Sequence, residues 1–553
     1  MVRERVSSNG SGLAACLTAL GSEPTLAPMR LPAVVLLVTA CAASPERPAA
    51  TPPPAPGPAV DPASLRPQRE DPPVQPAAVP PPPAECARYL EPAACAPGPP
   101  VAERLANALV IEEPIARDRE LACAEAQGAE AAPLVRALRA DLAPVACADV
   151  LVSAFLEGSS IQPSKVEEQT LLGLHIAGQL ARLVDAPPSL TPPFDKAVFL
   201  SFFERELKPW LIGQALAIGE LSLRGSRLTG YGKAIAAIAA SSADLRFVRA
   251  ARAVPLPIEL ASDPEVRDTY YGSLDEALEP RKARGRDAAL VGLRVLAELG
   301  ALSDPRIEQA RTVLSELYGG SRVAALEELL LPPLPALPRD TVEERLAARL
   351  PTFYAGRLLA GTSRATDPRL LRALLERGIP SNLAARLDRE PLSPEARFLY
   401  AFAELRRGIT YFSASAFQKV GALLGPAPKD EAAALVFALA RALEQAPKDA
   451  AELVLASPRL EGPLGSLEPL DALARGKSPF APLAEFDAAF LRALAPPEAS
   501  APFWDDVADR FARAARAAKA PEHRARAREH EEAARQTAAV LREEPKPQAA
   551  PQN

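Results

Sequence analysis

From residue 101 to about residue 542 the apolar residues recur at three- and four-residue intervals, and this periodicity restricts the possible folds more than any other feature. Val101, Leu105, Ala108 and Leu109 mark one face at helical spacing. The same grammar returns at 166–184, 195–207, 286–299, 305–318, 393–407, 430–445, 503–519 and 521–542. Each stretch has roughly the 8–20 residue length of an ordinary globular helix. Short runs of Pro, Gly, Ser and Asp separate them. No stretch sustains period-two alternation, and no Asn-Gly or Asp-Gly turn joins two strand-like runs. Hydrophobic residues make up 48% of the 553, but aromatic residues only 5%, so a core must be built from Leu, Ala, Val and Ile. Leu and Ala favour helix. The expected fold is all-α: an α-solenoid-like array of antiparallel helical hairpins, each burying its apolar face on the next.

Helix starts are marked by chemistry. Asp263-Pro264, Asp304-Pro305, Asp367-Pro368 and Ser393-Pro394 each place a capping oxygen before a proline at the first helical position. The cap accepts from an orphan amide, and the proline has no amide to orphan. Asp263 and Asp304 are 41 residues apart, which suits one helical hairpin. Ala-Pro-Lys-Asp occurs at 427–430 and again at 446–449, with room for one helix between the copies. The stretch from Glu404 through Gly408, Tyr411, Ala416 and Val420, continuing to 445, resembles a tetratricopeptide-type hairpin, although it lacks the Trp-Leu-Gly opening of that family. The body as a whole weakly resembles tetratricopeptide and HEAT-like repeats.

The N-terminus has a different character. Residues 31–40 form a short, uncharged apolar run followed by Cys41. Ten residues are too few to span a bilayer, which takes about 20, but they fit the apolar region of a secretory signal. Val38-Thr39-Ala40-Cys41 resembles the lipobox of bacterial lipoproteins. That resemblance implies cleavage between Ala40 and Cys41, acylation of Cys41 and attachment to a membrane through the lipid anchor. Several acyl chains hold firmly, because each buried methylene adds about 0.8 kcal/mol. Ala42 and Ala43 follow the cysteine, without the Asp that marks inner-membrane retention in that family. The expected address is therefore the cell envelope, on the outer membrane facing the periplasm or the exterior. Met29-Arg30 provides a minimal start for such a signal over 29–40, which makes 1–28 a mis-assigned leader.

Residues 41–84 hold much of the proline, with Pro-Pro-Pro at 52–54 and four in a row at 80–83. Such a tract populates polyproline II and reads as a disordered linker. The expected organisation continues with a cysteine-containing helical region at 85–160, helical repeats at 161–335 and 336–542, and a disordered tail at 543–553. Outside the leader and the anchor, four cysteines remain: Cys86, Cys95, Cys123 and Cys147. An even number in an exported chain reads as disulfides. Proximity in sequence favours Cys86–Cys95 and Cys123–Cys147, and the crossed pairings stay open. No Cys-x-x-Cys and no neighbouring His accompany them, so no metal site is expected.

Motifs of catalysis are missing. His175 lies in an apolar helix and reads as a core or groove residue, while His523 and His530 read as members of a solvated face. The glycine-rich run at 225–234 places Tyr231 and Ala234 where a phosphate loop needs Lys and Ser or Thr, and it reads as an interhelical turn. The net charge of -6 argues against a nucleic-acid partner, and no cofactor is expected. Phe202, Phe203 and Trp210 form the densest aromatic cluster. With Tyr231, Tyr270 and Tyr271 they are candidates for a groove that receives an envelope protein or peptide, with core packing as the competing reading. The expectation is a non-enzymatic, lipid-anchored interaction scaffold. An envelope enzyme acting on peptidoglycan through facing carboxylates and a purely structural spacer are the alternatives.

Overall fold

A computed structural model describes residues 74–158, 161–317, 325–362, 364–445, 465–498 and 500–543. The anchor residues Ala40 and Cys41, the leader 1–28, the signal 29–40 and residues 544–553 of the tail lie outside them. Twenty-two α-helices occur among the described residues, with no strand. In chain order they are α1 Val101–Ala108, α2 Pro114–Gln127, α3 Ala132–Leu142, α4 Ala148–Gly158, α5 Lys165–Arg182, α6 Lys196–Phe202, α7 Lys208–Ser226, α8 Gly230–Arg252, α9 Ile258–Ala261, α10 Pro264–Glu298 and α11 Pro305–Leu317. Then follow α12 Val342–Ala347, α13 Thr352–Leu358, α14 Pro368–Leu374, α15 Ser381–Leu387, α16 Pro394–Tyr411, α17 Ala414–Leu424, α18 Glu431–Leu443, α19 Glu468–Arg475, α20 Ala481–Leu494, α21 Ala501–Ala517 and α22 Pro521–Glu543.

All four capping residues do what their chemistry dictates. Asp367 accepts from Arg369 N and Ser393 from Ala396 N. Asp263 accepts from Glu265 N and Asp304 from Arg306 N. The interval between the first two caps was expected to hold a hairpin. It holds instead one helix, α10, of 35 residues, with Pro280 inside it. Proline removes one intrahelical bond without necessarily ending the helix, so the caps mark starts faithfully while their spacing says nothing of turns. Asp430 caps α18, after the first Ala-Pro-Lys-Asp copy. The second copy lies outside the described residues.

The chain divides into two compact units interleaved in sequence. The first takes residues up to Pro81, Gln179–Arg224 and Ala240–Asp287. Within it Asp244 is buried and paired with Arg281 at 3.6 Å and with Arg284. Arg281 also lies 5.2 Å over the Phe247 ring. Part of the proline tract that reads as a disordered linker belongs to this unit. Residues 74–81 are extended, with Ala77 N donating to Gly213 O at 2.9 Å and Arg182 Nε donating to Pro80 O at 2.8 Å. A composition that cannot build its own core can still lie along a helix that supplies partners.

The second unit takes Pro82–Gly178, Gly225–Ala239 and residues from Ala288 onward. One apolar core runs through it from Tyr89 to Ala534. From α16 to α22 each helix packs on the next, as do α1 to α4. At its N-terminal end the disulfides are Cys86–Cys147 and Cys95–Cys123, not the sequence-local pairs. Packing decides this. Arg139 on α3 donates to Tyr89 O at 3.1 Å and pairs with Asp118 and Glu125, drawing the Ala84–Tyr89 turn to α3 and hence to Cys147 just beyond it. Arg104 donates to Ala96 O, so the loop carrying Cys95 is held near α2, where Cys123 is buried.

Tryptic mapping without reduction should recover Cys86 linked to Cys147 and Cys95 linked to Cys123; any other pairing overturns this arrangement. Their loops enclose 61 and 28 residues. Removing either bridge should cost about 4 kcal/mol in urea unfolding, slightly more for the longer loop.

A second test concerns Asp487 on α20, which is 0% exposed and accepts from Leu330 N at 2.8 Å. Burial pushes its carboxyl well above the usual range, only partly opposed by the Leu330 bond. A carboxyl whose pKa is higher folded than unfolded binds more protons in the folded state. Its contribution to stability is therefore full below the unfolded value of about 4 and is lost as pH rises towards the folded one. Asp487→Asn should match the native chain in urea melts near pH 4 and be more stable near pH 8. Asp487→Leu orphans the Leu330 amide and should cost about 1–3 kcal/mol. A constant gap between Asp487→Asn and the native chain across that range would refute the assignment.

Candidate functional site

The sequence-predicted aromatic residues fall in two places. Tyr231 belongs to the second unit and is only 2% exposed. Its hydroxyl lies 2.9 Å from Asp141 Oδ2 and 3.0 Å from Asp304 Oδ2 and accepts from Arg306 Nη1 at 2.9 Å. The Phe353 ring stacks on it at 4.8 Å. Burial, with Asp141 and Asp304 adding to it against Arg306, holds the phenol well above its ordinary pKa. Tyr231 is thus a buried donor joining α3, α8 and the start of α11. Phe202, Phe203, Trp210, Tyr270 and Tyr271 belong to the first unit. Phe202 is buried and Phe203 and Trp210 are half-buried, while Tyr270 and Tyr271 meet edge to face at 5.5 Å.

The histidines have neighbours that sequence did not show. His175 Nδ1 lies 3.2 Å from Ser153 Oγ. His530 stacks on Phe511 at 5.2 Å, meets Phe486 and Phe490 edge-on, and reaches Glu328 at 3.9 Å. Burial lowers its pKa, against Glu328. Among the described residues no group of three His, Cys, Asp or Glu is placed to hold a metal ion, and no helix is long and apolar enough to cross a membrane.

A polar cleft in the second unit is built from the end of α10 with α15, α16 and α17. Its floor is a short antiparallel clasp. Leu302 N and Ser303 N donate to Arg377 O, Ser381 N donates to Leu299 O, and Ala301 bridges Gly378. Gly300 and Gly378 sit at φ 78° and 128°, where a side chain is strained. A Cβ on Gly300 would also fall 1.9 Å from Ile379 O. Above the floor, α16 projects Tyr400, Ala403, Glu404 and Arg407 from one face at intervals of three and four, α15 ends on Asp388, and α17 supplies Lys419. The cleft encloses about 220 Å³.

Lys419 closes the polar network. Its Nζ lies 3.0 Å from Asp388, 3.3 Å from Glu404 and 4.6 Å from the centre of the Tyr400 ring, and it contacts the Tyr400 hydroxyl. Tyr400 donates to Asp388 Oδ1 at 2.9 Å. Glu404, with a side chain 7% exposed, gives its other oxygen to Arg407 at 2.6 Å. Burial, then Glu404 and Asp388, push the Tyr400 phenol far up, so it remains a donor. Each oxygen of Glu404 is committed to a cation, which suits recognition and locking better than proton transfer. Glu298 stands at the rim, exposed and with no ion pair among the described residues. Comparison with family models, with curated proteins and with solved structures yields no match.

Sequence reasoning missed this cluster. The spacing of Tyr400, Glu404 and Arg407 was visible as one helical face, but Asp388 and Lys419 reach it only through the fold. α16 and α17, which carry Tyr400, Glu404, Arg407 and Lys419, pack together and are joined through Phe412 at φ 53°.

Lys419→Met should remove one cation from Glu404 and cost about 2 kcal/mol in urea unfolding, the scale of a hydrogen bond to a charged group. Adding Glu404→Gln should recover part of that loss. A loss in the double variant equal to the sum of the losses from Lys419→Met and Glu404→Gln alone would show that the two groups are not coupled.

Proposed function

We propose that the protein is a lipid-anchored envelope scaffold whose helices bind another envelope protein or a peptide. The observation that carries this reading is the cleft over the Gly300–Ser303 clasp. It combines an apolar wall of Leu302, Ile379 and Ala384 with charged groups whose partners hold them in place. A small concave site that sets a few fixed polar groups beside apolar side chains can receive and orient one side chain of a partner. Serial helix packing on either side supports it, since helical arrays offer such surfaces between neighbouring hairpins. The anchor rests on Cys41 and its resemblance to the lipobox; the disulfides between exported-type cysteines agree with an oxidising compartment.

The test uses intact envelopes. A photo-crosslinking residue in place of Ala385, which is exposed and lines the cleft, should give a discrete adduct of higher mass. The same residue in place of the exposed Arg528 on α22 should not. Cys41→Ala should move the protein from the membrane to the soluble fraction. Retention in the membrane sinks the anchor, and adducts of equal yield at both positions sink the cleft.

A further inference from the structure

The extended segment on the first unit makes two directional contacts in one register. Ala77 N donates to Gly213 O, in the middle of α7, and Pro80 O accepts from Arg182 Nε, at the end of α5. Pro76, Pro80 and Pro81 fix φ near −65° and carry no amide. Ala77 and Pro80 are three residues apart, and each meets a helix through a backbone group. Gly213 is buried although its helix continues on both sides. A Cβ there would stand 3.4 Å from Gln75 O and 3.6 Å from Ala77 Cβ, in ordinary contact, so the backbone of the segment lies directly on the helix. Trp210 stands one turn earlier on the same face of α7.

The seated element reads Pro76-Ala77-Ala78-Val79-Pro80-Pro81. The tract contains a second copy of this pattern, Pro48-Ala49-Ala50-Thr51-Pro52-Pro53, 28 residues earlier. It has the same amide-bearing Ala after a Pro and the same proline carbonyl three residues on.

We propose that the surface of α7 at Gly213 and α5 at Arg182 is a receptor for an extended Pro-Ala-Ala-X-Pro-Pro element, and that Pro48–Pro53 of the same chain is its alternative occupant. The source is the same chain because tethering gives the second copy an effective concentration on the order of millimolar. This does not depend on the cleft.

The test titrates a fluorescent peptide of residues 46–55 into the full chain and reads anisotropy. The native chain should bind it at least 10-fold more weakly than a variant with both elements broken, Pro48→Ser, Pro52→Ser, Pro76→Ser and Pro80→Ser. The variant with only Pro76→Ser and Pro80→Ser should also bind at least 10-fold more weakly than the fourfold variant, because Pro48–Pro53 refills the seat. In the fourfold background Gly213→Leu should abolish binding, while Gly213→Ala should preserve it. Arg182→Gln gives a second disruption should the leucine variant melt early by circular dichroism. No binding by the fourfold variant overturns the receptor. Equal binding by the twofold and fourfold variants overturns the alternative occupant.

Discussion

A core made of alanine and leucine packs well in many registers, and this is the constraint the structure has to meet. Small, similar side chains let helices approach closely but distinguish poorly between one sliding position and the next. Directional polar locks make that distinction here. Arg139 between Asp118 and Glu125, Tyr231 between Asp141 and Asp304, and Glu344 beneath Arg364 and Arg369 each join separate elements. Each consists of groups that are costly to bury unpaired. A helix displaced by one residue would strand a charge in the apolar interior. The locks thus act chiefly by raising the free energy of wrong registers.

This explains which parts of the fold were legible. Helix existence was, because a 3.6-residue period needs nothing from the rest of the chain; the predicted stretch 166–184 became Lys165–Arg182, and 305–318 became Pro305–Leu317. Caps were legible because Asp or Ser before Pro is a complete local solution to the orphan amides. The 35-residue α10 was not, because nothing local distinguishes a tolerated Pro280 from a break. The cysteine pairing failed for a related reason. Cys86 and Cys147 are 61 residues apart and meet only because Arg139 gathers the turn at Tyr89 onto α3.

The candidate site shows the same division. Tyr400, Glu404 and Arg407 lie on one turn-and-a-half of α16 and could be read together, yet their chemistry is set by Lys419 and Asp388 from other helices. Without those two, the face is an ordinary solvated stripe. With them, it becomes a closed circuit of two carboxylates, a phenol and two cations around a cleft. The predicted aromatic residues moved the other way: Tyr231 looked like a groove residue by type and is instead the centre of a buried lock.

The proline tract joins the two arguments. Its described part, from Val74 to Pro81, lies on α5 and α7, and a chain with φ already fixed by proline loses little entropy when it lies on a surface. Ala77 supplies an amide that a run of prolines lacks, and Pro80 a carbonyl acceptor three residues on. Alanine is the residue suited to interrupt such a run, because it restores a donor without adding bulk against the helix.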